Sequence, residues 1–311
     1  MSTDASLRDA LRVPAGPVSV AGFDSGARPL APTSKAVHHE LAHMATLQER
    51  LWAESTAGGQ RRVLLVLQGM DTAGKGGVAT HAVGVFGPIG VEYTAFKKPT
   101  QEELEHDFLW RIRQRLPRPG MIGVFDRSHY EDVLVVRVHD LVPKDEWEAR
   151  YDAINDFERE LVHGGTSVLK VFLHVSYDVQ RKRLLRRLAR PDKHWKFAIG
   201  DIEERARWDD YQAAYDAVLE RCNTAVAPWY VVPADHKKYR NWAVAELLRE
   251  TLQELDPRYP AADSAGVTLP GCVARSAGRV GVSMSNAKSS GRSQKPRYSA
   301  AHRGESFIDS A

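Results

Sequence analysis

The sequence predicts an α/β protein with one parallel β-sheet covered by helices on both faces. Residues 63–67 form a short, wholly apolar run, which is typical of a strand buried on both sides. Strand-like and helical segments then alternate along the chain, and a glycine-rich turn directly follows the first strand. This alternation indicates a parallel sheet, because parallel neighbours are joined by a crossover that is usually a helix.

Hydrophobic periodicity predicts the individual elements. Apolar residues three or four apart favour helices, and short β-branched or aromatic runs favour strands. The predicted strands are residues 63–67, 91–96, 121–125, 167–175 and 229–232. The predicted helices are residues 35–55, 102–116, 145–161, 178–190, 202–221 and 238–255.

Both ends of the chain lack such patterns. Residues 1–34 are rich in Pro, Gly, Ala and Ser and are predicted to form an N-terminal arm; residues 261–311 are predicted to be a disordered basic tail. From residue 262 onward the tail has seven basic and three acidic residues, whereas the whole chain has a formal net charge of +3. The remainder is therefore close to neutral, so a basic surface there must be local and suits an anionic ligand.

The chain shows no pattern of secretion or membrane insertion. Its two cysteines, Cys222 and Cys272, cannot build a disulfide framework. No basic-then-apolar leader stands near residue 1, and no apolar run approaches the length of a membrane span. A cytoplasmic protein without a membrane partner is expected.

A phosphate-binding loop is predicted at residues 69–77. The pattern G-x-x-x-x-G-K ends at Lys75 and stands between a strand and a helix-compatible stretch, as the motif requires. Glycines let backbone N–H groups approach phosphate oxygens, and the lysine neutralises phosphate charge. The residue after the lysine is Gly76, which has no hydroxyl for magnesium, so Asp71 inside the loop is the candidate ligand. The alternative is an ordinary glycine-rich turn.

A second carboxylate, Asp126, follows the third apolar strand. The carboxyl edge of a parallel sheet is where ligands bind, so Asp126 is predicted to meet a metal ion near the first loop. The neighbouring Arg127 is predicted to stabilise charge on a phosphoryl group in transfer. The alternative is that Asp126 caps the helix that follows it.

The segment 181–196, called the basic lid below, has eight cationic residues and one acid. Leucines give its helical part a packed side, and Pro191 ends the helix. The alternative is a solvated basic helix face. Next to a phosphate loop, however, such a helix is predicted to supply arginines that close over phosphates.

Residues 39–43 read His-Glu-Leu-Ala-His, the H-E-x-x-H pattern of zinc proteases. The match has only three fixed residues and lacks a third ligand at the extended spacing. These residues are therefore interpreted as polar positions of the first long helix.

Taken together, these motifs resemble those of the polyphosphate kinase 2 family, in its one-domain branch. The likeness runs in order from about residue 35 to residue 259. The matching segments are residues 63–77, 96–100, 106–111, 125–137, 190–197 and 227–236. Asp126 and Gly76 depart from that branch, which often has Asn and an acidic residue at these positions.

The resemblance implies a thymidylate-kinase-like P-loop fold, with three layers and a helical lid, in one catalytic domain over residues 35–260. It implies Mg²⁺ as cofactor, with Mn²⁺ as a substitute, and a homo-oligomer (a dimer or tetramer). The implied catalytic residues are Asp71, Lys75, Asp126, Arg127 and Arg187, of which the two aspartates hold the metal. The implied phosphate-binding residues are Gly69, Ala73, Gly74, Lys75, Gly76, Gly77, Arg190, Lys193 and Lys196. Lys97, Lys98, Glu131 and Asp132 are placed on the nucleotide side.

The implied activity is reversible phosphoryl transfer between inorganic polyphosphate and nucleotides such as AMP, ADP or GDP. Two alternatives stay open: an ATP-dependent small-molecule or nucleotide kinase, and a nucleic-acid-binding protein that uses the basic lid and tail. Activity with polyphosphate as sole donor distinguishes the implied transferase from an ATP-dependent kinase. The salt dependence of DNA binding tests the nucleic-acid-binding alternative. No nucleic-acid partner is expected.

Overall fold

The computed structural model describes residues 6–32 and 36–261, and in the second range it describes side chains from residue 43 onward. The predicted tail lies outside the described residues apart from Ala261, and His39 and Glu40 of the H-E-x-x-H pattern lie outside the described side chains. Within the described ranges, no helix combines the length and apolar character needed to cross a membrane.

Five strands form a single parallel sheet in the order β2-β3-β1-β4-β5. Each of them matches a predicted strand. Their bounds are Arg62–Gln68 (β1), Val91–Ala95 (β2), Ile122–Asp126 (β3), Thr166–His174 (β4) and Trp229–Pro233 (β5). In β1 every residue after Arg62 is buried, and successive side chains point to opposite faces, so the sheet is covered on both faces at this central strand. The predicted kinase-like α/β fold is confirmed.

The strand register brings the ends of β1 and β3 to one edge of the sheet. Leu67 of β1 is level with Asp126 of β3 and with Val171 of β4. The loops that leave β1 and β3 therefore begin side by side at the carboxyl edge, where ligands bind in open parallel sheets.

Eleven α-helices are present in the described residues. Most of them connect successive strands. The first six are α1 (Leu7–Leu11), α2 (Ala36–Thr56), α3 (Lys75–Val78), α4 (Gln101–Leu104), α5 (Trp110–Arg113) and α6 (Val135–Val138). The others are α7 (Lys144–His163), α8 (Tyr177–Ala189), α9 (Gly200–Ala206), α10 (Trp208–Arg221) and α11 (Lys237–Leu255).

The prediction of one helix over residues 102–116 is wrong, because two short helices replace it. Thr100 and Glu103 form a capping box that starts α4. A few residues later the Asp107 carboxylate accepts the backbone N–H of Leu109 (2.9 Å), which starts a new turn instead of continuing the first. Local side-chain hydrogen bonds of this kind compete with helix propagation, and apolar spacing alone does not reveal them.

The prediction of one helix over residues 202–221 is also wrong in its continuity. The chain is helical on both sides of Arg207, but Arg207 itself has φ −96° and ψ 26°, outside helical geometry. Its guanidinium donates to the backbone carbonyl of Val138 (2.7 Å). This long-range contact fixes the break between α9 and α10, and it could not be predicted from periodicity.

The N-terminal segment packs against the sheet and against α11. No helix was predicted here, but Leu7–Leu11 is helical, with Leu7 and Leu11 buried. The Glu250 carboxylate of α11 accepts hydrogen bonds from Ser6 Oγ and Leu7 N, both 2.9 Å. The Asp216 carboxylate of α10 accepts Val20 N at 2.6 Å. A helix of five residues is too short for a periodic pattern, and these tertiary contacts stabilise it.

A buried ion pair lies beneath the loop that follows β3. Lys170 of β4 and Glu158 of α7 have fully buried side chains, and Lys170 Nζ donates to Glu158 Oε2 (2.6 Å). Lys170 Nζ also donates to Cys222 O (2.6 Å) and to the hydroxyl of Tyr130 (2.9 Å). Tyr130 O–H donates in turn to Glu158 Oε1 (2.7 Å). The network thus anchors Tyr130, four residues after the end of β3, to the interior.

Candidate active site

The phosphate loop follows β1, and glycines shape it. Gly69 has φ +152° and Gly74 has φ +112°, conformations that residues with side chains rarely adopt. A Cβ at Gly69 would lie 2.8 Å from Leu173 O, and one at Gly74 would overlap the Arg240 guanidinium. Lys75 begins α3, and its Nζ donates to Gly69 O (2.7 Å). The lysine ammonium therefore lies across the loop, as phosphate binding requires.

Two carboxylates lie beside this loop. Asp71 Oδ1 accepts a hydrogen bond from Arg127 Nη2 (3.2 Å). Asp126 is the last residue of β3, and its Oδ2 accepts the Tyr93 hydroxyl proton (2.9 Å). The backbone N–H of Arg127 donates to Leu67 O (3.0 Å), which joins the ends of β1 and β3. The structure thus brings together three of the residues predicted from the sequence, Asp71, Asp126 and Arg127.

Arg127 is surrounded by acidic groups. Glu131, Asp71 and Asp126 raise the pKa of its guanidinium above the usual value, in that order of effect and against the opposing effect of burial. The residue has φ +65°, a conformation uncommon for a side chain of this size. The cap of the following helical turn is Ser128, whose Oγ accepts Tyr130 N (3.2 Å), and not Asp126. The carboxylate of Asp126 is therefore oriented by Tyr93.

The available ligands suit Mg²⁺ and do not form a complete metal cage. Among the described side chains, no group of three or more His, Cys, Asp and Glu residues is placed to hold a metal ion. Mg²⁺ is usually held by one or two carboxylates together with substrate phosphates and waters. Asp71 and Asp126 fit that requirement. Gly76 is exposed, and a Cβ built there meets no atom within 4 Å.

Glu131 and Asp132 occupy different environments. Glu131 lines the cleft beside Asp71, and Gln68 donates to its Oε1 (3.0 Å) when the Gln68 amide is oriented to accept from Ser128. Desolvation raises the pKa of the Glu131 carboxyl, although Arg127 and Lys75 oppose the shift. Asp132 accepts a hydrogen bond from Arg150 Nη1 (2.9 Å), and desolvation raises its pKa to about 6. Glu131 therefore faces the cleft, whereas Asp132 is paired with Arg150.

Lys97 and Lys98 lie at the end of β2 with exposed side chains. The backbone carbonyl of Lys97 accepts a hydrogen bond from Arg111 Nη2 (2.7 Å), and the Arg111 guanidinium packs over the Phe96 ring at 5.1 Å. Arg111 also pairs with Glu103 at 3.2 Å. The hydrogen bond from Arg111 holds the backbone at Lys97, while the side chains of both lysines are exposed to solvent.

The basic lid comprises α8 from Arg181 onward and the helical turn Pro191–Lys196. Arg187 Nη1 donates to Asp201 Oδ2 (3.2 Å) and to Lys196 O (3.0 Å). Arg190 and Lys193 both pair with Asp192, at 2.9 Å and 3.3 Å, on the exposed surface. Arg187 is therefore paired with the partly buried Asp201, whereas Arg190 and Lys193 are paired with Asp192 at the surface. None of these three cations lines the cleft around Asp71 and Arg127.

Several residues of this region were missed by the sequence analysis. Tyr211, Tyr215 and Glu204 line the cleft together with Asp71, Arg127 and Glu131. Tyr215 is buried, and burial raises the pKa of its hydroxyl well above the usual value. Two further residues, Arg183 and Arg240, contact the phosphate loop from behind. Arg183 lies in the basic lid, so the cluster of positive charge could have marked it as a phosphate-site residue. Arg240 is a single arginine in a predicted helix, and no sequence pattern indicates its contact with the loop.

A phosphate loop after β1, a carboxylate at the end of β3 and a basic helical segment on a parallel sheet together define a P-loop kinase. The family profile described as Polyphosphate kinase 2 matches residues 32–260. The chain belongs to the polyphosphate kinase 2 family.

Known relatives and a crystal structure agree with this assignment. The chain is 50% identical over 219 residues to the AMP/ADP-polyphosphate phosphotransferase of Meiothermus ruber, a match that covers 70% of this chain and 80% of that protein. It is 43% identical over 244 residues to the ADP-polyphosphate phosphotransferase of Rhodopseudomonas palustris, covering 73% and 83%. The crystal structure of polyphosphate kinase 2 from Arthrobacter aurescens matches with a TM-score of 0.83 and 47% identity, over 89% of this chain and 99% of that one.

Proposed function

We propose that this chain transfers phosphoryl groups between inorganic polyphosphate and nucleoside mono- or diphosphates. One observation carries the proposal: Asp71, Lys75 and Arg127 all lie near Glu131 at the ends of β1 and β3, and Arg183 of the basic lid donates to the phosphate-loop carbonyls of Thr72 and Ala73. That arrangement suits two phosphorylated substrates that meet end to end. The relatives named above act on AMP and ADP, which supports these nucleotides as acceptors.

The reaction needs no nucleophile from the protein. A terminal phosphate oxygen of the acceptor nucleotide attacks the end phosphorus of polyphosphate, the last phosphoanhydride bond breaks, and the shortened chain leaves with the bonding electrons. The protein aligns the two substrates and stabilises charge on the moving group. We propose that Lys75 and Arg127, which contact Gly69 O and Asp71, take that role, and that Arg187 joins them after it leaves Asp201.

Mg²⁺ is the proposed cofactor, with Asp71 and Asp126 as its protein ligands. When bound, the ion would neutralise phosphate charge between donor and acceptor. The Tyr93 hydroxyl, which donates to Asp126 at 2.9 Å, would hold that carboxylate in one orientation. We also propose a homo-oligomer, which light scattering on the purified chain at two concentrations would test.

One assay tests the proposed activity. It incubates the purified protein with Mg²⁺, polyphosphate and one acceptor at a time, which is AMP, ADP, GMP or GDP. Formation of the next higher phosphate of at least one nucleotide, with polyphosphate as sole donor, is the expected result. A protein that phosphorylates these acceptors from ATP but never from polyphosphate would instead be an ATP-dependent nucleotide kinase.

A further inference from the structure

Two arginines contact the rear of the phosphate loop, on elements distant in the sequence. Arg183 of α8 donates from Nη1 to Thr72 O (2.9 Å) and Ala73 O (3.3 Å). Arg240 of α11 donates from Nη1 to the same Ala73 O (2.9 Å). The carbonyl oxygen of Ala73 therefore accepts hydrogen bonds from two guanidinium groups.

The second half of the Arg183 guanidinium binds another loop. Its Nη2 donates to Ala234 O (2.6 Å) and Asp235 O (2.9 Å), in the turn after β5. All four of these acceptors are backbone carbonyls, so the planar fork of one side chain joins the phosphate loop to the β5–α11 turn. A lysine has a single point of charge and cannot span both pairs of carbonyls in this way.

Arg240 is held rigidly behind the loop. It is 3% exposed, and its Nε and Nη2 donate to Asn241 Oδ1 at 3.1 Å and 2.7 Å. Its guanidinium occupies the space where a Cβ would stand at Gly74 and at Gly77. With Arg240 in this position, a side chain at either glycine would have to displace its guanidinium.

The direction of the carbonyls determines the direction of the neighbouring N–H groups. In a planar trans peptide the C=O and the following N–H point in opposite directions. With the Ala73 carbonyl fixed on Arg183 and Arg240, the N–H of Gly74 points away from both guanidinium groups. A fixed N–H donor of this kind binds phosphate without reorganisation.

Arg183 also lies one helical turn before Arg187. Residues four apart share a face of a helix, so anchoring Arg183 also limits where Arg187 can lie on the same face of α8. The start of α8 is fixed as well, because Ser176 N donates to Asp235 Oδ1 (2.9 Å). The base of the basic lid, the phosphate loop and the β5–α11 turn are thereby joined through Arg183.

We infer that Arg183 and Arg240 are positioning residues, which set the phosphate-binding N–H of the loop and couple the loop to the basic lid. This role rests on the transfer proposed above, although its effect on phosphate binding can be measured without turnover. Neither arginine needs to touch the substrate.

The test compares Arg183→Ala, Arg183→Lys and Arg159→Ala. Arg159 is an exposed cation of α7, outside the basic lid, so its removal controls for the loss of one positive charge. Calorimetric titration with tripolyphosphate measures binding, and kcat is measured with polyphosphate and ADP, both well below each variant's melting temperature. We expect at least a tenfold weaker Kd and at least a tenfold lower kcat for both Arg183 variants, and less than a twofold change for Arg159→Ala.

The lysine variant separates positioning from charge and also serves if the alanine variant does not fold. Recovery of Kd and kcat to within twofold of the wild type in Arg183→Lys would overturn the inference, because charge alone would then suffice. The double variant Arg183→Ala/Arg187→Ala should lower kcat by less than the product of the two single effects, because Arg183 acts partly through Arg187. If wild-type protein binds tripolyphosphate but transfers nothing from polyphosphate, the proposed function fails while the binding comparison still decides the role of Arg183.

Discussion

At the scale of single residues, the position after the loop lysine distinguishes this site from most phosphate loops. A Ser or Thr hydroxyl usually binds the metal there, whereas this chain has Gly76. The surrounding space does not require glycine, because a Cβ at Gly76 meets no atom within 4 Å. At Gly74, by contrast, the Arg240 guanidinium fills the space that a Cβ would need. Packing therefore restricts Gly74 but not Gly76 to glycine.

Gly76→Ser should therefore be tolerated and should add a hydroxyl near the metal. We expect the Mg²⁺ concentration for half-maximal rate to fall about threefold, equivalent to less than 1 kcal/mol. Gly76→Ala is the control, because it has the same backbone effect without a ligand and should leave the magnesium titration unchanged. An equal shift in both variants would mean that the hydroxyl does not reach the ion.

Asp71 and Asp126 should each matter for the metal. Asp71→Asn and Asp126→Asn keep the size of the side chain and remove its charge, so we expect each to raise the Mg²⁺ needed for half-maximal rate by about tenfold or more. Asp152→Asn, at an exposed position of α7, is the matched control. Unchanged magnesium titrations in both site variants would show that the ion is held by other groups.

At the scale of elements, the basic lid has a fixed base and an exposed end. Arg183 is bonded to two loop segments through their carbonyls, whereas Lys193 and Lys196 lie toward the surface beyond Pro191. A lid with a fixed base and an exposed end can hold Arg187 in position while the lysines at its end contact a longer polyanion.

The lysines at the end of the lid should make binding of polyphosphate depend on its length. We expect Lys193→Ala/Lys196→Ala to raise KM for long polyphosphate about fivefold and KM for tripolyphosphate less than twofold, with a weaker salt dependence because fewer ionic contacts are screened. Lys144→Ala/Arg159→Ala removes two exposed cations of α7 and should change neither constant. Equal effects of the lid variant on both donors would contradict an extended contact with the chain.

Sequence patterns predicted long elements better than short ones. All five strands were predicted, because each is a short run with apolar, β-branched or aromatic residues, and because longer segments with helical spacing separate them. The breaks at Asp107 and Arg207 escaped because each depends on a specific hydrogen bond, one of them to Val138 in another element. At the site, Asp71, Lys75 and Asp126 follow strands in recognisable motifs, but Arg240 reaches Ala73 only through the tertiary fold.

At the scale of the whole molecule, a buried ion pair connects the core to the loop after β3. Burial alone would raise the pKa of Glu158, but Lys170 and His129 outweigh it and hold that pKa below its usual value. A carboxyl whose pKa is lowered in the folded state stabilises the fold above its unfolded pKa, about 4.3. That contribution is lost as the pH falls through the folded-state value.

Glu158→Gln should therefore destabilise the protein strongly, because it leaves the Lys170 ammonium buried without a counter-charge. We expect a loss of about 3–5 kcal/mol in the free energy of unfolding at neutral pH, and a smaller further loss on acidification than in the wild type. Glu160 lies on the same helix as Glu158 and forms an exposed ion pair with Arg113 of α5. Glu160→Gln should therefore cost at most about 1 kcal/mol. Equal, small losses in urea denaturation of the two variants would show that the buried pair contributes little.

The measurement that tests the central claim most directly is kcat for phosphoryl transfer from polyphosphate to ADP by wild-type protein and by Lys75→Ala. The Lys75 ammonium donates to the loop carbonyl of Gly69 and is not part of the hydrophobic core, so its removal should leave the melting temperature within a few degrees of wild type. Loss of a charge clamp on the transferred group should lower kcat at least about a hundredfold, a few kcal/mol of transition-state stabilisation. A correctly folded Lys75→Ala protein that retains more than about a tenth of the wild-type kcat would contradict the assignment of this loop as the site of transfer.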